Sequence, residues 1–218
     1  MDVVVLGVSG AVGGLLADLL VARGDTVRGL VRTAEQQDAL RARGVETVVG
    51  DLATADADAL RDLVAGADAV VFAAGSNGGA AAVTRAVDGE AVTTTLEACR
   101  RAGVSRFLLV SVLPESWRER DLDDEVELYF AVKKQADVAV TRSDLDWVVL
   151  RPALLTDDPG TGAVSLGPAE LHGQVPRADV AAVVAALLAE PRVRRQILEL
   201  DGGAVPVADA VRANVRGD

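Results

Sequence analysis

Residues 3–13 read Val-Val-Val-Leu-Gly-Val-Ser-Gly-Ala-Val-Gly: four apolar residues running into a Gly-x-x-Gly-x-x-Gly turn. A short run that is apolar at every position is a strand covered on both faces, since a strand with one wet face alternates. The helical pattern Leu15–Arg23 follows at once, and Gly24 closes it. Glycines at such a strand–helix junction permit a tight turn and a close backbone approach. The helix N-terminus behind them offers amide N–H groups and partial positive charge, a combination suited to a diphosphate.

The same rhythm repeats outward from this unit. Thr26–Val31, Val45–Val49, Ala69–Ala73 and Arg106–Ser111 read as further strands. Glu35–Arg43, Ala57–Val64 and about Gly89–Ala102 read as helices, followed by Gly44, Gly66 and Gly103. After Ser111 the pattern loosens into an acidic stretch, a long helix over about Val126–Arg142 and a strand at Trp147–Leu150. The turn-rich Thr156–Gly162 loop comes next, then a helix at Arg177–Ala189, a strand at Ile197–Leu200 and a helix at Val207–Val215. Strands alternating with helices imply right-handed crossovers, hence an α/β fold: a Rossmann-type doubly wound parallel sheet flanked by helices. Residues 1–218 are expected to form one domain, with about 151–218 a small elaboration on the substrate side.

Composition narrows the function. The 218 residues are 50% hydrophobic and 25% charged, with a formal net charge of −11, which argues against a nucleic-acid partner. A single cysteine, Cys99, excludes an intramolecular disulfide, and a single histidine, His172, excludes a multi-histidine metal site. The longest purely apolar run, Val180–Ala189, is far short of a membrane span. The start, Met-Asp-Val-Val-Val, lacks a basic leader region, so a cytoplasmic location with no membrane partner is expected.

The end of the second strand discriminates between cofactors. A chain built for NAD(H) usually places Asp or Glu there to accept from the ribose hydroxyls. This one has Arg32, nineteen residues after Gly13. A guanidinium suits a 2′-phosphate because it stays charged and presents a planar fork of donors. The competing reading is a solvated arginine at a strand end; the missing carboxylate favours NADP(H) over NAD(H).

Several further motifs stand in a fixed order: LVR, Gly50-Asp51-Leu52, VVFAAGS at Val70–Ser76, RFLLVSV at Arg106–Val112, YFAVKKQAD at Tyr129–Asp137, LDWVVLRPALLTDDPGTG at Leu145–Gly162 and VPRADVAAVVAALL at Val175–Leu188. With the glycine turn they resemble the atypical, NAD(P)-binding branch of the short-chain dehydrogenase/reductase superfamily. That branch has NmrA-like, biliverdin-reductase-B-like and epimerase/dehydratase-like members. The resemblance covers nearly the whole chain. It implies that Gly7, Ser9, Gly10, Ala11 and Val12 hold the pyrophosphate and Arg32 the adenosine phosphate. It further implies that Asp51 and Leu52 flank the adenine, that Ala73, Ala74 and Gly75 pass under the nicotinamide-side ribose, and that Pro152, Ala153 and Leu154 line the nicotinamide.

The chemistry is expected at Tyr129. It is the chain's one tyrosine, and Lys133 stands four residues on, on the same helix face, in a sequence with only two lysines. An ammonium beside a phenol favours the phenolate, lowering a pKa otherwise near 10, and can also bond a ribose. Ser111, at the end of the fifth strand, is placed to donate to a substrate oxygen. Ser111, Tyr129 and Lys133 match the superfamily's triad in type and order. The competing reading makes Tyr129 a half-buried aromatic and Lys133 a solvated helix residue. Trp117 reads as a substrate lid or a rim aromatic, and His172 as a surface residue. Asp179 reads as a complement to a helix dipole, the acids between Asp121 and Glu127 as a solvated helix entry, and Cys99 as a small core residue. The function these readings favour is an NADP(H)-dependent oxidoreductase acting on a small carbonyl or conjugated substrate. The alternatives are a non-catalytic NADP(H) sensor of the NmrA-like kind and, ranked lower, a sugar-nucleotide epimerase or dehydratase.

Overall fold

The computed structural model describes residues 1–76, 79–113 and 122–217. Its elements begin β1 (Asp2–Leu6), α1 (Ala11–Arg23), β2 (Thr26–Val31), α2 (Ala34–Arg41), β3 (Val45–Val49), α3 (Ala57–Val64) and β4 (Ala69–Phe72). Next come α4 (Ala81–Thr84), a π-helical stretch Arg85–Glu90, α5 (Ala91–Ala102), β5 (Arg106–Val110), α6 (Asp124–Thr141) and β6 (Asp146–Pro152). The chain continues with β7 (Leu154–Thr156), β8 (Ala163–Gly167), β9 (Gln174–Pro176), α7 (Arg177–Ala189), β10 (Gln196–Gly202), β11 (Val205–Pro206) and α8 (Val207–Ala213).

Among the described residues nine strands form one sheet, in the order β11-β8-β10-β6-β5-β4-β1-β2-β3. From β3 to β10 every pairing is parallel; β8 is antiparallel to both β10 and β11. This is the Rossmann-type doubly wound sheet. Alternation along the central strands divides two cores. Val3 and Val5 pack with Leu16 and Leu20 of α1 and Val184 and Leu187 of α7, while Val4 and Leu6 pack with Leu60 of α3, Val92 of α5 and Val140 of α6. Each such fully buried aliphatic contributes roughly 1.5–3 kcal/mol before the entropy of ordering is counted. Strand order reverses between β1 and β4, and the crevice outside their carboxyl ends is where such a sheet takes its ligand. No helix among the described residues is long and apolar enough to cross a membrane.

Two stretches differ from the expectation. The helix before β5 begins at Ala81 rather than near Gly89, and it passes through the π-helical stretch on the way. Gly89 reads as a helix start, yet its position is set by α6: a Cβ there would stand 3.1 Å from Val132 Cγ1. The C-terminal third also holds β7, β8, β9 and β11, strands of two to five residues in turn-rich sequence, with β7 and β9 forming a separate parallel pair.

Candidate active site

The glycine turn follows β1 directly. Gly7 has φ +91°, and a Cβ on it would stand 2.5 Å from the Ala74 amide nitrogen, so β1 and the end of β4 meet backbone to backbone. A Cβ on Gly13 would stand 2.2 Å from the Gly7 carbonyl oxygen, which leaves room for nothing but glycine. The Gly10 amide donates to Gly7 O at 2.8 Å and closes the turn. α1 starts at N-cap Gly10 with no side-chain cap and no acid in its first turn. Val8 and Val12 are buried, while Ser9, Gly10 and Ala11 are exposed at the rim. An uncapped helix N-terminus behind a rim of small residues fits a diphosphate, whose oxygens would take the free amides.

On the adenosine side Arg32 stands one residue past β2. Its amide donates to Gln36 Oε1 at 3.0 Å, and Thr33 Oγ1 accepts from the Gln36 amide to cap α2. Its exposed guanidinium has no partner among the described residues. The other arginine on this strand face, Arg28, is committed: it pairs with Asp2 at 2.9 Å and donates to Leu63 O and Ala65 O at the end of α3. Asp51 accepts from the Ala53 amide at 3.0 Å in a local turn, and Leu52 is half-buried beside it. A cavity of about 490 Å³ opens past Leu52, between that turn and Glu90, Thr94 and Glu97.

On the opposite side of the glycine turn lies a buried polar cluster. Ala73 donates to Leu6 O at 2.8 Å and leads through Ala74 and Gly75 to Ser76, whose amide donates to Asp88 Oδ2 at 3.0 Å. Lys133, buried on α6, donates from Nζ to Val110 O at 3.2 Å and stands 3.7 Å from Asp88 Oδ1. Ser111, also buried, donates to Asp137 Oδ1 at 2.5 Å. Arg151 holds the second oxygen of Asp137 through Nε at 2.9 Å and a terminal nitrogen at 2.8 Å. Burial pushes Asp137 up, against the pull of Ser111, Arg151 and Lys133. Burial pushes Lys133 down, against the pull of Asp88 and Asp137.

Tyr129 is half-buried one turn before Lys133. Burial, then the charge of Asp88, push its phenol upward, not downward as the Tyr–Lys spacing suggested. The reason is positional: the ammonium is turned to Asp88 and Val110 O. The Lys133 ammonium thus bonds Val110 O next to Ser111, and the charge of Asp88 acts on both Lys133 and Tyr129. Pro152 and Ala153 are buried at the end of β6, with Ala153 donating to Leu200 O at 2.8 Å, and Leu154 is exposed beside them.

Sequence reasoning missed Asp88, Asp137 and Arg151. Asp137 had a signal, its position four residues past Lys133, whereas Asp88 had none. Asp179 does more than complement a dipole: it is buried and accepts from the Thr161 amide, Thr161 Oγ1 and the Gly162 amide, each at 2.9 Å, clamping the loop that precedes β8. His172 is exposed and Cys99 is buried in the core. Trp117 lies outside the described residues.

Comparison with known proteins agrees with this geometry. The family model described as NAD(P)H-binding matches residues 7–191. The Bacillus subtilis uncharacterized sugar epimerase YhfK is 33% identical over 214 residues, 97% of this chain and 99% of that protein. A Bacillus halodurans structure provisionally named an NAD-dependent epimerase/dehydratase superposes with TM-score 0.88 at 31% identity, over 98% of this chain and 99% of that one. ChuY, an anaerobillin reductase from Escherichia coli O157:H7, superposes with TM-score 0.77 at 28% identity, over 92% and 97% of the two chains. The fold and its relatives are those of NAD(P)-binding, oxidoreductase-like proteins, reductases among them.

Proposed function

We propose that this chain, which belongs to the NAD(P)H-binding family, is an NADP(H)-dependent reductase of a small carbonyl or conjugated compound. The observation that carries the reading is the buried cluster beside the glycine turn, in which Asp88 accepts from the Ser76 amide and faces Lys133, whose ammonium donates to Val110 O next to Ser111. When bound, the dihydronicotinamide supplies hydride. The glycine turn and the α1 N-terminus hold its diphosphate, and Arg32 takes the 2′-phosphate. Ala73, Ala74 and Gly75 would hold the nicotinamide-side ribose and Pro152, Ala153 and Leu154 the ring, with residues 151–218 supplying the substrate side of a single domain.

Tyr129 is the proton donor. With its phenol pushed up, it stays protonated across the neutral range, which suits an acid that acts only once charge develops on a substrate oxygen. Ser111 steadies that oxygen by turning its hydroxyl from Asp137, which keeps both bonds to Arg151. Lys133 would support the ribose, and its charge favours the phenolate left on Tyr129 once the proton has passed to the substrate oxygen.

The test is a panel of aldehydes, ketones, quinones and flavins with NADPH, followed by loss of dihydronicotinamide absorbance. Tyr129→Phe keeps the ring and lowers turnover ~10²-fold or more, the usual worth of general acid help. Wild-type oxidation of NADPH that survives Tyr129→Phe removes Tyr129 from the mechanism. Tight NADPH binding without oxidation on any acceptor moves the reading to a sensor. Interconversion of a sugar without net NADPH loss moves it to an epimerase, the name its Bacillus subtilis relative carries.

A further inference from the structure

We propose that Asp88 is a positioning residue of this site: its carboxylate ties the Ala73–Ser76 loop to the Lys133 ammonium and fixes where that ammonium stands. The inference rests on the proposed use of Lys133 beside the cofactor. Asp88 sits in the π-helical stretch Arg85–Glu90, a wider turn of the kind that recurs at functional sites. Its side chain is fully buried, and a buried carboxylate is costly unless it is paired and hydrogen-bonded. Pairing here is divided between two elements. Oδ2 accepts the Ser76 amide at 3.0 Å, and Gly75 passes so close that a Cβ on it would stand 3.3 Å from Oδ1. Among the described residues Oδ1 itself has no hydrogen-bond partner. The Lys133 nitrogen at 3.7 Å is within Coulomb reach but beyond hydrogen-bond length, and among the described residues that nitrogen uses one of its three donors, on Val110 O. An orphaned acceptor thus faces an ammonium with spare donors, directly beneath the loop assigned to the ribose. A purely structural brace would satisfy both groups instead.

The charge of Asp88 is the part that matters. The charged groups facing Lys133 among the described residues are Asp88 from the π-helical stretch and, on its own helix, Asp137. Asp137 is already engaged by Arg151 of β6 and by Ser111. Asp88→Asn keeps the shape and the acceptor for Ser76 but leaves Lys133 to burial and to a carboxylate whose charge is shared.

The chain has two lysines, Lys133 and Lys134, so protein labelled at lysine 13Cε shows two side-chain titrations by NMR, and Lys134→Arg assigns them. In Asp88→Asn the Lys133 midpoint falls by about one pH unit or more, a tenfold loss of proton affinity, while Lys134 does not move. NADPH affinity, read by calorimetry, matches wild type at low pH, where Lys133 is recharged. It falls about tenfold once the pH passes the lowered midpoint, a loss that grows with pH as no packing defect would. Equal Lys133 midpoints in the two proteins overturn the proposal, as does a loss of affinity that is the same at every pH. If Asp88→Asn does not fold, Asp88→Asn/Lys133→Met does, because it buries no unmatched charge; failure of both overturns the proposal. Wild-type protein that binds no NADPH defeats the cofactor reading, and the lysine titration still decides for or against Asp88.

Discussion

Arg32→Ala tests the cofactor assignment with little disturbance to the fold. The guanidinium is exposed and has no partner among the described residues, so its removal breaks no bond among them. The contacts that shape the turn are the Arg32 amide to Gln36 Oε1 and the Thr33 cap, and both survive the change. Stability therefore moves within about 0.5 kcal/mol. The effect on binding follows from the site. Charge-assisted hydrogen bonds contribute ~1.5–3 kcal/mol, and two unit charges ~4 Å apart attract by about 1 kcal/mol in bulk water and about 4 near a protein surface. At an exposed position the lower end applies, about 1.4 kcal/mol or tenfold in Kd. Wild type accordingly binds NADPH about tenfold or more tightly than NADH. Arg32→Ala removes most of that preference and leaves NADH affinity almost unchanged, and added salt erodes the wild-type preference as screening shortens the reach of the charge. Calorimetry or fluorescence titration with both nucleotides is the assay. Equal wild-type affinities, or a preference that persists in Arg32→Ala, refute the assignment. Arg28 then offers no rescue, because each of its three side-chain nitrogens is engaged, by Asp2, Leu63 O and Ala65 O.

Other predictions follow from single contacts. Gly13→Ala drives a Cβ to 2.2 Å from Gly7 O and abolishes NADPH binding; Gly24→Ala, at φ +89° with open space around it, costs about 1–2 kcal/mol in a thermal melt and leaves binding intact. Asp179→Ala frees the Thr161 and Gly162 amides and lowers stability by about 2 kcal/mol, roughly 4–8 °C of Tm by calorimetry, with NADPH affinity retained. Burial pushes the Cys99 thiol up to about 12, so a thiol reagent at neutral pH labels it only after unfolding. Because that value lies above the unfolded one, Cys99 contributes stability below pH ~8.5 that is lost as pH rises toward 12; wild type therefore loses about 1.4 kcal/mol per pH unit more than Cys99→Ala over that window, measured by denaturant titration.

What the sequence disclosed is what local chemistry decides. Val3–Leu6 and Val70–Phe72 are strands buried on both faces, and a continuous apolar run announces that without any tertiary information. Gly24 and Gly103 end their helices in the left-handed region, as glycine after an apolar period predicts. The diphosphate cradle belongs to this class as well, since Gly7, Gly10 and Gly13 act within one turn of chain. The strands of the C-terminal third escaped notice because β8 is held by β10 and β11, which lie thirty or more residues further on, and its own Ala-Val-Ser-Leu-Gly sits between turn signals.

The chemical end of the site shows the limit more sharply. An i, i+4 spacing places Tyr129 and Lys133 on one face of α6, and that much holds. It does not say which way the ammonium turns. That is decided by Asp88, which reaches the pair only because β4 and β5 are neighbours in the sheet and the helix between them passes through a π-helical stretch. It is decided also by the Val110 carbonyl at the end of β5. The charge a phenol feels is thus a property of three elements, while the motif that announces the phenol is a property of one. The motif names the candidates for proton transfer, and the directions in which their pKa values move follow from the packing of the π-helical stretch, β5 and α6.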